Sequence, residues 1–285
     1  MRELTLSAPA KLNLTLDILR RRADGYHDLK MVMTSIDLCD KVTVRLREDG
    51  QIAARAPGTD LPEGEDNLAG RAARVFLQEA GADCGAEITI EKHIPSQAGM
   101  AGGSSDAAAV LRALRLLLRP EMALGQLERM GERIGSDVPY CVRGGTVLAE
   151  GRGERLTDWP ALKPCWIVVC KPDFGLSTPA LFGRVRVEKL SLRPDHDTMF
   201  QALESGNLSA VAAQLRNVFE TVLMPGETAA VDDMKETLRR CGAAGALMTG
   251  SGPTVFGLFS QEDGARRACG QLRVQYARTF LTRPL

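Results

Sequence analysis

Along residues 11–18, KLNLTLDI, apolar and polar side chains alternate strictly. Leu12, Leu14, Leu16 and Ile18 share one face of an extended chain; Lys11, Asn13, Thr15 and Asp17 share the other. A period of two predicts a strand. A second strand region is predicted over LKMVMTSIDLCDKVTVRL (29–46), after a turn at RRRADGYHD (20–28) whose breaker is Asp24-Gly25. The period lengthens to that of a helix in DNLAGRAARVFLQEAG (66–81), which closes on a glycine suited to a C-cap. AEITIEKHI (86–94) reads as a strand running into a glycine-rich loop. From 105 to 118 the pattern is helical, with an apolar stripe of Val110, Leu111, Leu114, Leu117 and Leu118. Further helices are predicted over 123–135, 199–206, 208–215 and 231–242. TVLAE (146–150) and CWIVVCKP (165–172) have strand character, and GALMTGSGPTVFGLF (245–259) reads as strand, glycine turn, strand. Strands and helices interleave in both halves, which argues a mixed α and β architecture. Gly, Pro and charge mix over 151–164 and predict a boundary near residue 155, giving domains 1–155 and 156–285.

Composition narrows the function classes. The 285 residues suffice for one large domain or two ordinary ones. Lys plus Arg equals Asp plus Glu, 36 against 36, so no bulk basic field points to nucleic acid or an anionic membrane. No apolar run approaches the ~18 residues of a membrane span, and the first residues lack the apolar core of a signal peptide. The seven cysteines are scattered and form no CxxC pair. Reduced thiols in a cytoplasmic protein are therefore expected, not zinc or a disulfide framework.

The chemistry gathers at IPSQAGMAGGSSDAAAVLRAL (94–114). A helix N-terminus presents unpaired N–H groups and a positive dipole end, and glycines let that backbone approach an anion. Gly99, Gly102, Gly103, Ser104 and Ser105 lie where such a site would form, and Ser104 or Ser105 suits the N-cap. A flexible turn with a serine cap reads equally well. A Walker A loop is excluded, because no lysine lies between Lys92 and Lys163, and GxGxxG is missing. Lys11 and Asn13 point into one space, although a solvated strand face is the commoner use of such a pair. Asp137, before Val138-Pro139, reads as a helix or turn cap or as a chemical group. Tyr26 and His27 could offer a ring and a polar edge to a flat ligand. With three histidines in the chain, a metal site or a Ser-His-Asp triad is poorly supplied. TGSGPTVF (249–256) is a second glycine-rich turn, ordinarily a tight strand connection.

Taken together, PAKLNL (9–14), GGSSDAA (102–108) and TGSGPTVF (249–256) resemble the three motifs of the GHMP kinases, the superfamily of galactokinase, homoserine kinase and mevalonate kinase. AKLNLTLDILRRRADGYHDL (10–29), EDNLAGRAA (65–73) and GSDVPYCVRGGTVLAEGRGE (135–154) are similar to the branch that phosphorylates a cytidine diphosphate-linked methylerythritol. The resemblance runs from residue 8 to about 259 and thins between 185 and 240. It implies a two-domain fold of the α+β class, a ribosomal-protein-S5-like N-terminal domain and a ferredoxin-like C-terminal domain. It places the active site in the cleft between them and leaves the last strand free to return to the first. It further implies ATP as co-substrate with Mg²⁺, a small-molecule acceptor with no nucleic-acid or membrane partner, and phosphorylation of the acceptor's 2-hydroxyl in non-mevalonate isoprenoid synthesis. By motif, Asp137 matches the catalytic base and Lys11 its supporting partner. Pro95, Ser96, Gln97, Ala98, Gly99, Met100, Ala101, Gly102, Gly103, Ser104 and Ser105 match the triphosphate cradle, and Asn67 an adenosine contact. Tyr26 and His27 match the residues that hold the cytosine, Phe182 a second aromatic wall with Thr178 nearby, and Asn13 a substrate contact. No residue is assigned to the metal. The loop departs from the family at Ala101, where relatives often carry another glycine; the methyl matters only if residue 101 adopts positive φ. Another GHMP kinase, acting on homoserine or mevalonate, and a non-catalytic nucleotide-binding protein on the same fold remain open at this point.

Overall fold

The alternation at 11–18 belongs to a strand of 19 residues, β1 (Glu3–Arg21), followed by one of 21, β2 (His27–Arg47). The computed structural model describes residues 2–190 and 192–285. The chain continues with β3 (Ile52–Arg55), α1 (Leu68–Ala80), β4 (Gly85–Glu91), α2 (Gly102–Leu118), α3 (Leu124–Glu132) and α4 (Val138–Arg143). Then come β5 (Thr146–Gly151), β6 (Arg155–Asp158), β7 (Trp166–Lys171), α5 (Thr178–Arg184), α6 (His196–Ser205), α7 (Leu208–Ala213), β8 (Arg216–Asn217), α8 (Pro225–Arg240), β9 (Gly245–Met248), β10 (Val255–Phe259), α9 (Glu262–Gln275) and β11 (Arg278–Thr282). Contacts divide these elements into two compact units, and β1 and β2 run on from one into the other.

The first unit holds residues up to 10, 38–96 and 101–144. Its β4 pairs antiparallel with the later part of β2, from Lys41↔Glu91 to Arg47↔Gly85, and parallel with β3. Helix α1 packs on α2, and α2 on α4. The apolar stripes meet in a core that includes Phe76, Ile88, Ile90, Leu111 and Leu114, all buried. Asn67 caps α1 by accepting from Ala69 N–H at 3.0 Å, and left-handed Gly81 closes it as its position in the sequence predicts.

The second unit holds residues 11–37, 97–100 and 145–285. Here β5 pairs antiparallel with the early part of β2, β6 with β5, and β8 runs parallel to β1 through Thr15↔Arg216 and Leu16↔Asn217. A separate antiparallel sheet runs β11-β7-β10-β9, with α8 and α9 packed against it. Every residue of β10 is buried, so this strand reads as one apolar run, VFGLF, without alternation. Pro284, just past β11, bridges to Ile36 of β2. Among the described residues no helix is long and apolar enough to cross a membrane, and all seven cysteines are free thiols.

Candidate active site

The polar face of β1 is not solvated. Lys11, Asn13, Thr15 and Asp17 are buried together with Leu12, Leu14, Leu16 and Ile18, so the strand is covered on both sides. A buried ammonium needs partners, and Lys11 Nζ donates to Asn13 Oδ1 at 2.5 Å. Asn13 Nδ2 in turn reaches Met31 Sδ at 3.3 Å. The backbone of the same residues is tied to both glycine motifs: Lys11 N–H donates to Met100 C=O at 3.1 Å, and Asn13 N–H to Thr249 Oγ1 at 2.9 Å.

The glycine loop is wound tightly. Gln97, Gly99 and Ala101 hold positive φ of 51°, 68° and 57°. Left-handed residues at every second position curl the backbone so that its N–H groups can converge on an anion. Pro95 and Ser96 lead into the curl; Ala98 and Met100 anchor it by burial. At Gly99 a β-carbon would stand 2.4 Å from Thr249 O, and at Gly250 one would stand 2.5 Å from Gly99 O. The two glycine motifs therefore meet backbone to backbone.

Sequence reasoning misplaced the start of α2. The helix opens at Gly102, with left-handed Ala101 as its N-cap, so neither Ser104 nor Ser105 is the cap. The curl at Ala101 turns the chain early: Ser105 N–H already bonds Ala101 C=O at 2.8 Å, and Ser105 Oγ donates to Pro9 C=O at 2.7 Å. Gly103 is exposed, and Gly102 and Ser104 are half-buried. Asn67, the expected adenosine contact, spends its amide locally, accepting from Ala69 and donating to Pro62 C=O at 3.0 Å. Asp137 precedes α4, half-buried, and its side chain makes no cap bond, so the capping role does not account for it.

Beneath the N-terminus of α2 lies a buried cluster that the sequence did not disclose. Lys92 Nζ donates to Asp40 Oδ2 and, at 2.7 Å, to Asp106 Oδ2. Asp40 Oδ1 also accepts from His93 and Ile94 N–H. Asp106 Oδ1 is buried with no partner. Burial pushes Asp106 up to about 7; Lys92 pulls against this and Asp40 adds to it. The available signal was Asp106 itself, a lone carboxylate among the alanines of an apolar helix.

An aromatic cluster lies in the second unit. The His27 ring stacks on Phe182 with centroids 4.9 Å apart and planes 17° off parallel, and Phe182 meets Phe219 edge-on at 4.9 Å. Burial, then Arg21, lower the His27 pKa, which keeps the imidazole neutral at pH 7. Tyr26 is 55% exposed, with the Arg152 guanidinium 5.2 Å from its ring centre. Thr178 Oγ1 hydrogen-bonds Ser251 Oγ at 2.7 Å, joining α5 to the late glycine turn. The sequence had singled out neither Phe219 nor Arg152.

Two domain families match the chain: the GHMP kinases N terminal domain over residues 67–145 and the GHMP kinases C terminal domain over 199–278. The α+β fold class with two GHMP domains read from the sequence is the one found. A 4-diphosphocytidyl-2-C-methyl-D-erythritol kinase of Brevibacillus brevis is 42% identical over 282 residues, covering 99% of this chain and 96% of that protein. One of Exiguobacterium sibiricum is 44% identical over 268 residues, covering 94% and 93%. The crystal structure of a 4-(cytidine 5'-diphospho)-2C-methyl-D-erythritol kinase superposes with a TM-score of 0.82 at 34% identity, covering 99% of each chain. With relatives this similar over nearly its whole length, the chain belongs to the 4-diphosphocytidyl-2-C-methyl-D-erythritol kinase family of the GHMP kinases.

Proposed function

We propose that the protein transfers the γ-phosphoryl group of ATP to the 2-hydroxyl of 4-diphosphocytidyl-2-C-methyl-D-erythritol. The observation that carries this reading is the bond from Lys11 N–H to Met100 C=O, which seats the lysine strand against the curled glycine loop. The loop from Pro95 to Ser105 cradles the triphosphate with backbone N–H groups and the positive end of α2. Asn67 lies toward the adenosine end. Tyr26, His27 and Phe182 take the cytosine, with Thr178 beside them, and a neutral His27 ring offers both a stacking face and hydrogen-bonding nitrogens. Asn13 orients the acceptor, and its bond to Lys11 holds the ammonium in place. On this reading residues 1–155 carry most nucleotide contacts and 156–285 complete the acceptor side. The work is done in the cytoplasm, which suits seven free thiols.

Phosphoryl transfer asks a protein mainly for positioning and charge stabilisation. The acceptor is a tertiary alcohol, a weak nucleophile. Asp137 accepts its proton while Lys11 stabilises the negative charge growing on the oxygen. A loose transition state needs little bond formation to the nucleophile, so the proton can leave late. Among the described residues no three carboxylate, histidine or cysteine side chains gather as a metal site. Magnesium would enter as Mg·ATP, held largely by phosphate oxygens and water, with Ser104 or Ser105 as the candidate protein ligands.

The test is ADP release from Mg·ATP with the cytidyl acceptor, beside mevalonate, homoserine and a no-acceptor control. ADP with the cytidyl acceptor alone is the expected result; ADP with another acceptor retires the cytosine pocket. Asp137→Ala is expected to lose turnover while still binding ATP, and near-normal turnover in that variant removes Asp137 from the mechanism.

A further inference from the structure

We propose that Asn217 is a positioning residue for phosphoryl transfer: a single buried amide that sets the height of the late glycine turn against the phosphate loop and steadies the aromatic wall of the base pocket. The inference rests on the functional reading above and extends it to a residue that touches neither substrate.

Asn217 ends β8, opposite Leu16 of β1, and is 5% exposed. Its Nδ2 donates to two carbonyls of the turn, Met248 and Gly250, each at 2.8 Å. Its Oδ1 accepts from Phe219 N–H at 3.0 Å. Both donors and one acceptor of the amide are thus in use, a demand that aspartate, serine or leucine cannot meet at this length. Three residues on, Glu220 Oε1 accepts from Met248 N–H at 2.8 Å, and its Oε2 accepts from Lys235 at 2.6 Å. The segment 217–220 therefore grips Met248 at both its carbonyl and its N–H.

What is gripped bears directly on the loop. Thr249 O would stand 2.4 Å from a β-carbon on Gly99, and Gly99 O 2.5 Å from one on Gly250. No side chain lies between the two backbones to absorb a shift, so a displaced turn displaces the loop or separates from it. Thr249 Oγ1 also receives Asn13 N–H, so the same displacement reaches the strand that carries Lys11. On the other side, the Phe219 held by Oδ1 meets Phe182 edge-on, and Phe182 stacks on His27. One amide is common to the triphosphate end and the base end.

The test compares wild type with Asn217→Asp, which keeps the shape but turns two donors into acceptors facing two carbonyls. The affinity for the non-hydrolysable ATP analogue AMP-PNP, measured calorimetrically, is expected to fall roughly tenfold or more, because misplacement of about an ångström is amplified at a preorganised site. KM for the cytidyl acceptor should rise and kcat fall in the same variant, with native circular dichroism. A merely structural role would lower the melting temperature and leave Kd, KM and kcat of the folded protein unchanged, and that result overturns the proposal. If Asn217→Asp does not fold, Asn217→Ser, which keeps one donor, decides: intermediate AMP-PNP affinity supports the proposal, wild-type affinity overturns it. A wild-type chain that binds AMP-PNP but does not turn over the cytidyl acceptor sinks the functional reading alone, and the AMP-PNP comparison still decides on Asn217. A wild-type chain that binds no AMP-PNP overturns both.

Discussion

Replacing Asp106 by asparagine should flatten the dependence of stability on pH. Two carboxylates, Asp40 and Asp106, share the one ammonium of Lys92 in a buried site, and Asp106 Oδ1 has no partner. Burial first, with Asp40 adding to it against the pull of Lys92, raises Asp106 from its usual 3.8 to about 7. A folded pKa above the unfolded one means that the folded state holds the proton more firmly. Between those two values the unfolded chain has released its proton and the folded one has not, so stability falls as pH rises, by about 1.4 kcal/mol per unit. From pH 5 to the folded value of about 7 is two units, so the wild type should lose about 3 kcal/mol between pH 5 and pH 8 through this group. Asparagine cannot ionise, and its Oδ1 can still accept from Lys92. It places an NH₂ where the unpartnered oxygen was, a cost of about 1–3 kcal/mol that does not vary with pH. The informative quantity is therefore the difference of differences: urea unfolding, followed by far-ultraviolet circular dichroism, of both proteins at pH 5 and pH 8. Asp106→Asn should gain about 3 kcal/mol on the wild type between the two pH values. Parallel pH profiles, or a variant that loses ground at pH 8, would refute the argument.

Two other substitutions probe the curled loop. Ala101 at φ 57° carries about 1–2 kcal/mol of left-handed strain that glycine does not, offset by about 0.4–1 kcal/mol of extra unfolded-chain entropy. Ala101→Gly should thus raise stability by up to about 1.5 kcal/mol, measured as a higher urea midpoint at unchanged m-value. Gly99→Ala should cost at least about 2 kcal/mol through strain and displaced backbone, and should weaken nucleotide binding. Gly81→Ala is the control: it has similar φ with nothing near its added methyl, and an equal cost in both variants would show that the contact with Thr249 is irrelevant.

Elements with a clear period were legible from the chain. The KLNLTLDI alternation, the α1 stripe and its terminal Gly81 are local signals, and so were the three motifs that carry the family resemblance. Features decided by distant chain were hidden. Nothing in the strand shows that Lys11, Asn13, Thr15 and Asp17 are covered, because the parallel neighbour of β1 arrives some 200 residues later, at Arg216–Asn217. The early start of α2 was missed because alanine does not announce a left-handed conformation. Ala101 holds φ 57° against the preference of an alanine. Asn217 gives no local signal in RNVFE, since its partners are carbonyls more than 30 residues onward. The charge cluster at Lys92 depends on burial, which a list of charged residues does not reveal.

The backbone contact between Gly99 and the turn at 249–252 sets an order of events during synthesis. Every residue of the first unit has left the peptidyl-transferase centre once position 144 is reached. The segment 97–100, however, takes its place with residues of the second unit. Its glycine ceiling and the Thr249 hydroxyl that fixes Asn13, 236 positions away, do not yet exist. At about 5–20 residues per second, the ribosome needs on the order of 5–20 s more to deliver them. Through that interval the nascent chain carries the whole α2 segment and an unbraced loop. On the proposed reading of this loop as the triphosphate cradle, nucleotide capture is one of the last properties the protein acquires as it is made, and a prematurely terminated chain ending before residue 249 would own the glycines without the grip that shapes them.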